Sequence, residues 1–172
     1  ESITYDFEGE FNGVLYDLDI SEVADPTDVK VSMQGYLSEN PFPFALSDTE
    51  EPGTFKLDNT GDFLNFTVYN KLTDEIQTVI YQYRIPEIIT NYNDIAEFNR
   101  KVIGSAWEDP LNDVDVTVLL PEATGEEELR AWGHGGDENS TVTLQDNQKV
   151  LLYVPQNSAN QFVEAHVIFP TS

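Results

Sequence analysis

The chain of 172 residues contains no cysteine. That absence removes disulfide bonds, thiolate nucleophiles and zinc sites built on thiolates. A secreted domain of this size does not require disulfides, because a chain of this length buries enough apolar surface to form a core. The composition is therefore compatible with an exported domain, and it excludes the redox and zinc–thiolate classes of site.

Positive charge is scarce in the sequence. Lys and Arg number 8 against 32 Asp and Glu, which gives a formal net charge of −24. Nucleic acids and anionic membrane surfaces attract basic patches, so this balance argues against both as partners. The ordinary interpretation of so many carboxylates is solubility. A weak calcium site is the sharper alternative, although the chain has no D-x-[DN]-x-[DN]-G loop.

Long apolar runs are also missing. The sequence has no window of about 18 apolar residues of the kind that spans a bilayer. Its first residues lack the basic and apolar pattern of an export leader. We therefore expect a mature domain or a piece of a longer protein.

What the sequence does contain is a two-residue alternation of apolar and polar side chains, which is typical of half-buried strands. Predicted turns interrupt it at residues 9–13 and 70–74. The predicted strands span residues 2–8, 14–20, 29–35, 54–58, 62–69, 75–84, 114–118, 129–132, 140–144, 149–154 and 161–169. This pattern predicts an all-β fold, specifically a mostly antiparallel β-sandwich, immunoglobulin-like or related. We expect one domain over residues 1–172, with an alternative boundary near residues 122–128.

One stretch predicts a helix instead of a strand. Asp94 and Glu97 have the spacing of a capping box, in which each side chain answers a free backbone amide. Phe98 and Val102 fall on one helical face, and a glycine two residues later is placed for a C-terminal cap. The pattern predicts one short α-helix near residues 94–103.

Several short motifs occur along the chain in a characteristic order. They are Asp6-Phe7-Glu8, Phe11-Asn12-Gly13, Tyr92, Val102-Ile103-Gly104, Trp107, Pro110, Val114 to Val118, Leu120-Pro121, Trp132-Gly133-His134-Gly135 and Phe169-Pro170. In that order they resemble the bacterial predicted membrane proteins grouped as Domain of Unknown Function 2207, over nearly the whole chain. The resemblance implies an extracytoplasmic domain at the extracellular face of the cell membrane, attached only through segments outside this sequence. The family has no assigned activity, so the resemblance implies no functional residues.

Two histidines, His134 and His166, are the candidates for acid–base chemistry or metal binding. Nothing in their spacing brings them together, and the H-x-H and HExxH patterns are missing, as is a G-x-S-x-G elbow. We therefore interpret His134 as a turn residue and His166 as a strand residue.

Two further groups of residues have an ordinary and a functional interpretation. Trp107 and Trp132 offer surfaces that stack on sugars, but we favour core packing beside a turn for both. Asp109, Asp113 and Asp115 offer oxygen ligands to calcium, but we favour a solvated strand face. No catalytic, cofactor or metal residue is assigned, and no cofactor is expected.

These observations lead to one main hypothesis and two alternatives. The main hypothesis is a non-catalytic interaction or sensing domain outside the cell, whose partner is an unknown protein or a cell-wall ligand. The first alternative is a carbohydrate-binding module or an uncharacterised hydrolase, which predicts a concave pocket that holds Trp or Tyr with convergent carboxylates. The second is a calcium-stabilised structural spacer. We expect residues 38–53 to be a long exposed loop with one short strand near residues 42–46. This loop is either a binding element or, as we favour, an ordinary insertion.

Overall fold

The computed structural model describes residues 1–125 and 127–171. Within those ranges every regular element is a strand, and the pairing between strands is mostly antiparallel. No helical segment in the described ranges has the length and apolar character that crossing a bilayer requires. The all-β prediction is confirmed.

The chain forms two compact units, Glu1–Pro86 and Glu87–Ser172. The strands of the first unit are β1 Ser2–Asp19, β2 Thr27–Gly35, β3 Phe42–Pro43, β4 Ala45–Leu46, β5 Thr54–Asn59 and β6 Phe63–Arg84. The strands of the second unit are β7 Ile89–Asn91, β8 Ile95–Ile103, β9 Leu111–Leu119, β10 Arg130–Gly135, β11 Thr141–Leu144, β12 Lys149–Asn157 and β13 Val163–Pro170. That residues 1–172 form a single domain stays a prediction.

The first unit is built around one long antiparallel ladder between β1 and β6. β1 follows β6 from the pair Ser2 and Ile80 to the pair Asp19 and Phe63. The other edge of β6 pairs with β5 in its first half and with β2 in its second half. The short strands β3 and β4 lie at the two ends of the strand order β3-β2-β6-β5-β4.

The buried side of this ladder changes along its length. In β6 the even-numbered Phe66 and Leu72 are buried in the first part, and the odd-numbered Val79 and Tyr81 in the second. β1 makes the matching change across residues 9–13, where two register shifts interrupt its pairing with β6. Such bulges add a residue to one strand, bend it and increase its twist.

The two halves of β6 fold over each other. The ring centroids of Phe66 and Tyr81 are 5.1 Å apart, whereas an extended strand between those two positions would span about 50 Å. Tyr16 packs against both rings, at 5.7 Å from Phe66 and 4.5 Å from Tyr81. The bent ladder thus encloses its own aromatic core.

In its described residues, the second unit contains two antiparallel sheets, with the strand orders β10-β13-β8-β7 and β11-β12-β9. Side chains from both sheets meet in one hydrophobic cluster, for example Val150 and Leu152 of β12 with Ala165 and Val167 of β13. Inward-facing residues alternate with outward-facing ones along β13, as expected for a sheet covered on one side.

The segment around residues 122–128, where an alternative boundary was predicted, lies inside this second unit. Leu120 and Leu129 flank the segment and are both buried in the same cluster. The described part of this connection therefore joins two elements of one core.

The helix predicted near residues 94–103 is wrong, because that stretch is the strand β8. β8 pairs with β7 on one edge and with β13 on the other. Phe98 and Val102 do pack toward the core as expected, but a spacing of four residues fits the period of a strand as well as one turn of a helix. Pairing with two neighbours decides in favour of the strand, since tertiary context overrides weak local preference.

Candidate functional site

The outward face of the four-stranded sheet in the second unit carries a chemically varied group of side chains. Along β13, Ala165 and Val167 are fully buried in the core, so His166 between them points outward. In the strand register His166 lies opposite Asn99 of β8 and Trp132 of β10. Three adjacent strands therefore present side chains to the same outer surface.

His166 forms a close pair with Glu97 on this surface. The Nε2 atom of His166 lies 2.6 Å from Oε1 of Glu97, and each side chain is about one-fifth exposed. The hydroxyl of Tyr92 donates a hydrogen bond of 3.0 Å to the other carboxylate oxygen of Glu97. That hydrogen bond raises the pKa of Tyr92, because the carboxylate stabilises the protonated phenol. The carboxylate is thus oriented from two sides.

Trp132 lies beside this pair and is 42 % exposed. Its ring centroid is 5.1 Å from that of His166, and the His134 ring is 6.0 Å from His166 on the same surface. We call this group the Trp132 face and define it by five residues: Tyr92, Glu97, Trp132, His134 and His166. It combines one large aromatic surface with hydrogen-bond donors and acceptors beside it.

The structure corrects three interpretations of these residues. His134 is in β10 and is not a turn residue, whereas His166 is in a strand as predicted. The two histidines do come together. Trp132 lies opposite His166 in the register, so His134, two residues after Trp132 on the same strand, lies diagonally beside His166. Trp132 is outside the core, contrary to the favoured interpretation.

The charge of the surface around the Trp132 face differs from that of the whole chain. Arg130 is two residues from Trp132 on the same strand and is exposed. Lys101 lies opposite Glu164 in the register, and its ammonium is 5.3 Å from the centre of the Phe162 ring. Two cations, two histidines and the carboxylates of Glu97 and Glu164 therefore share this side of the sheet, within a chain of net charge −24.

The aspartates considered for calcium lie elsewhere. Asp113 and Asp115 are exposed on β9, while the valines between and after them are partly buried, which matches the favoured interpretation of a solvated strand face. The hydroxyl of Tyr153 donates a hydrogen bond of 2.7 Å to Asp113, which raises the pKa of Tyr153. Among the residues that the structure describes, no three His, Asp or Glu side chains are grouped so as to hold a metal ion.

Sequence reasoning missed the hydrogen bonds that Glu97 makes with Tyr92 and with His166, because Glu97 was assigned to a helix cap. A usable signal was present in the alternation of Ala96 and Phe98 with Glu97 and Asn99, which places apolar and polar side chains on opposite faces of a strand.

Comparison with known proteins gives one match. The family model described as "Predicted membrane protein (DUF2207) N-terminal domain" matches residues 1–169. Neither a curated protein nor a solved structure matches the chain.

Proposed function

This chain belongs to the Domain of Unknown Function 2207 family, the N-terminal domain of predicted membrane proteins, and from that premise we propose that it is a non-catalytic saccharide-binding module displayed outside the cell. In this proposal the membrane protein anchors the module, and the Trp132 face binds a glycan of the cell surface. The proposal joins the hypothesis of an extracellular interaction domain to the carbohydrate-binding alternative.

The observation that carries the proposal is the position of Trp132. An indole ring has a large rigid surface that is normally buried, and here it is 42 % exposed on the edge strand of the sheet, beside His166 of the neighbouring strand. The apolar C–H faces of a pyranose ring stack on such a surface, while polar groups around it fix the orientation of the sugar. The His166 and Glu97 pair and the Tyr92 hydroxyl supply donors and acceptors for sugar hydroxyls.

The local charge supports a neutral or weakly anionic glycan as the ligand. Most of the protein repels anions, since the net charge is −24, but Arg130 and Lys101 offset the carboxylates near the Trp132 face. A polymer with scattered acidic groups would therefore meet less repulsion at this face than elsewhere on the chain.

The architecture of the second unit supports a rigid platform. Inward-facing residues of both its sheets share one core, and we include an immunoglobulin-like β-sandwich in the proposal for this unit. Sites on paired strands hold their side chains more firmly than sites on loops. Such a prearranged surface suits the binding of an extended polymer.

The proposal predicts that cell-surface oligosaccharides bind through Trp132. The test is titration of the ¹⁵N-labelled protein with N-acetylglucosamine hexamer and with cellohexaose, followed by nuclear magnetic resonance. The protein has two tryptophans, so the indole N–H signal of Trp132 should shift while that of Trp107 serves as an internal control. Trp132→Ala should weaken binding at least tenfold, because stacking on the ring is lost.

Tyr153→Ala is the matched control, since Tyr153 is also a partly exposed aromatic residue but lies in β12 of the other sheet. It should leave the affinity unchanged. Absence of a Trp132 shift with both oligosaccharides, or equal affinities for Trp132→Ala and the unmodified chain, would contradict saccharide binding at this face.

A further inference from the structure

The first unit exposes three apolar side chains that lie together on its sheet. Leu37 is 91 % exposed, Tyr36 is 77 % exposed, and Ile76 beside them is exposed as well. Contiguous apolar side chains on a soluble surface mark interaction sites, whereas single ones do not. We call the group the Tyr36 patch and define it by these residues and the carboxylates around them: Tyr36, Leu37, Ile76, Asp6, Asp74 and Glu75.

The strand register makes the Tyr36 patch continuous. Asp6 of β1 lies opposite Ile76 of β6, and the amide of Tyr36, which follows β2, donates a hydrogen bond of 3.3 Å to the carbonyl of Ile76. Together the residues of the patch line a shallow depression of about 490 Å³. Three neighbouring chain segments thus contribute to one surface.

The turn that carries Tyr36 and Leu37 is held by its own hydrogen bonds. The amide of Ser38 donates to the carbonyl of Gly35 at 3.0 Å, and Nε2 of Gln34 donates to the carbonyl of Ser38 at 2.8 Å. The two apolar side chains are therefore presented on a fixed turn. A fixed turn loses less conformational entropy on binding than a flexible one.

The rim of the depression is acidic and oriented. Oδ1 of Asp74 accepts a hydrogen bond of 2.7 Å from the amide of Gly9, and Oε1 of Glu75 accepts one of 2.7 Å from Nε2 of Gln77. No lysine or arginine is among the described residues that line the depression. The carboxylates therefore favour a cationic partner and repel an anionic one.

We propose that the Tyr36 patch binds a cationic polypeptide segment with one apolar anchor residue, presented by a partner protein. The apolar residues contact the anchor, and the carboxylates position the lysines or arginines beside it. A second copy of this chain fits poorly, because each copy has a net charge of −24 and carries the same acidic rim. The same repulsion disfavours an anionic lipid surface. This proposal does not depend on saccharide binding at the Trp132 face.

The test uses a defined probe, the peptide acetyl-Lys-Leu-Lys-Phe-Lys-amide, titrated into the ¹⁵N-labelled protein. The expected result is a set of shifts confined to residues 34–37 and 74–77 and their neighbours in β1. Leu37→Ser should weaken binding at least tenfold, and Asp6→Asn should weaken it about threefold with a smaller salt dependence. Leu15→Ser is the matched control, since Leu15 is also highly exposed in the first unit but lies outside the patch, and it should have no effect.

Several results would overturn the proposal. Shifts spread over the acidic surface, or equal binding of acetyl-Lys-Ser-Lys-Ser-Lys-amide, would indicate unspecific attraction of charge. A dimer seen by analytical ultracentrifugation that disappears in Leu37→Ser would assign the patch to a second copy instead. Binding to phosphatidylglycerol vesicles that is lost in Leu37→Ser would assign it to a lipid surface.

Discussion

Replacing Gly13 with alanine is expected to lower the free energy of unfolding of the first unit by about 3 kcal/mol or more, which is enough to unfold a marginal domain. A Cβ atom at Gly13 would lie 1.8 Å from the carbonyl oxygen of Val68 and 2.9 Å from its carbonyl carbon. Those atoms belong to the backbone of β6, so they cannot move aside as a flexible side chain can. The φ angle of Gly13 is 150°, which adds strain for any residue with a side chain.

The size of the effect follows from the place of Gly13 in the fold. It lies at the second register shift between β1 and β6, where the buried side of the ladder changes. The same bent ladder brings Phe66 onto Tyr81. A displacement of β1 at this point would therefore disturb the pairing and the aromatic core together.

Gly9→Ala is the matched control for this substitution. Gly9 also has a positive φ, of 97°, but a Cβ atom there would meet nothing within 4 Å. We expect a loss of only about 1–2 kcal/mol, from the backbone conformation alone. The measurement is urea unfolding followed by far-UV circular dichroism, with tryptophan emission as a separate readout of the second unit, which contains both Trp107 and Trp132. Equal losses for the two variants would contradict the role given to close approach at Gly13.

The bulged region of β1 at residues 9–13 shows which features alternation alone predicts and which it does not. The strand segments 2–8 and 14–20 were predicted correctly, and so were 62–69 and 75–84. The interruptions between them were predicted as turns, but each pair is one continuous strand. A turn and a bulge both break the two-residue period by an extra residue, and only the partner strand determines which of them forms.

The helix prediction failed for a related reason. Phe98 and Val102 are four residues apart, and that spacing satisfies both periods. The capping-box pair of Asp94 and Glu97 added a helical signal that is local. The contacts that Glu97 makes with His166 are with a residue far along the chain, so no local signal could reveal them.

Only part of the candidate site could be predicted from the sequence. The residue types were noted, since His134, His166 and Trp132 were each singled out. Their assembly depends on the register of β10 against β13, which places Trp132 opposite His166. A shift of one residue would turn Trp132 into the core, so its exposure could not be predicted without the pairing.

The second large effect is expected at alkaline pH, where the first unit should lose stability steeply above about pH 10. Burial raises the pKa of Tyr16 well above its ordinary value, and the carboxylate of Glu1, which accepts its hydrogen bond, raises it further. Burial and the neighbouring Tyr5 raise the pKa of Tyr81. Both phenols are neutral when protonated, so the folded state keeps them protonated while the unfolded chain ionises them near pH 10. Their contribution to the stability of the folded state is fully present below that pH and decreases as the pH rises above it.

The slope and the variants make this prediction quantitative. Each buried phenol lowers the free energy of unfolding by about 1.4 kcal/mol per pH unit above pH 10, so the pair lowers it by about 2.7 kcal/mol per unit. Tyr81→Phe keeps the ring and removes one ionisable group, and it should halve the slope while changing stability at pH 7 by about 1 kcal/mol or less. Tyr36→Phe is the control, because that side chain is largely exposed, and it should leave the slope unchanged. The measurement is urea unfolding at pH values from about 8 to about 11.5, a range that brackets the pKa of about 10 of free tyrosine. A slope that Tyr81→Phe does not reduce would show that other groups that lose protons in this range, the lysines and the remaining tyrosines, and not the enclosed aromatic core, drive the alkaline transition.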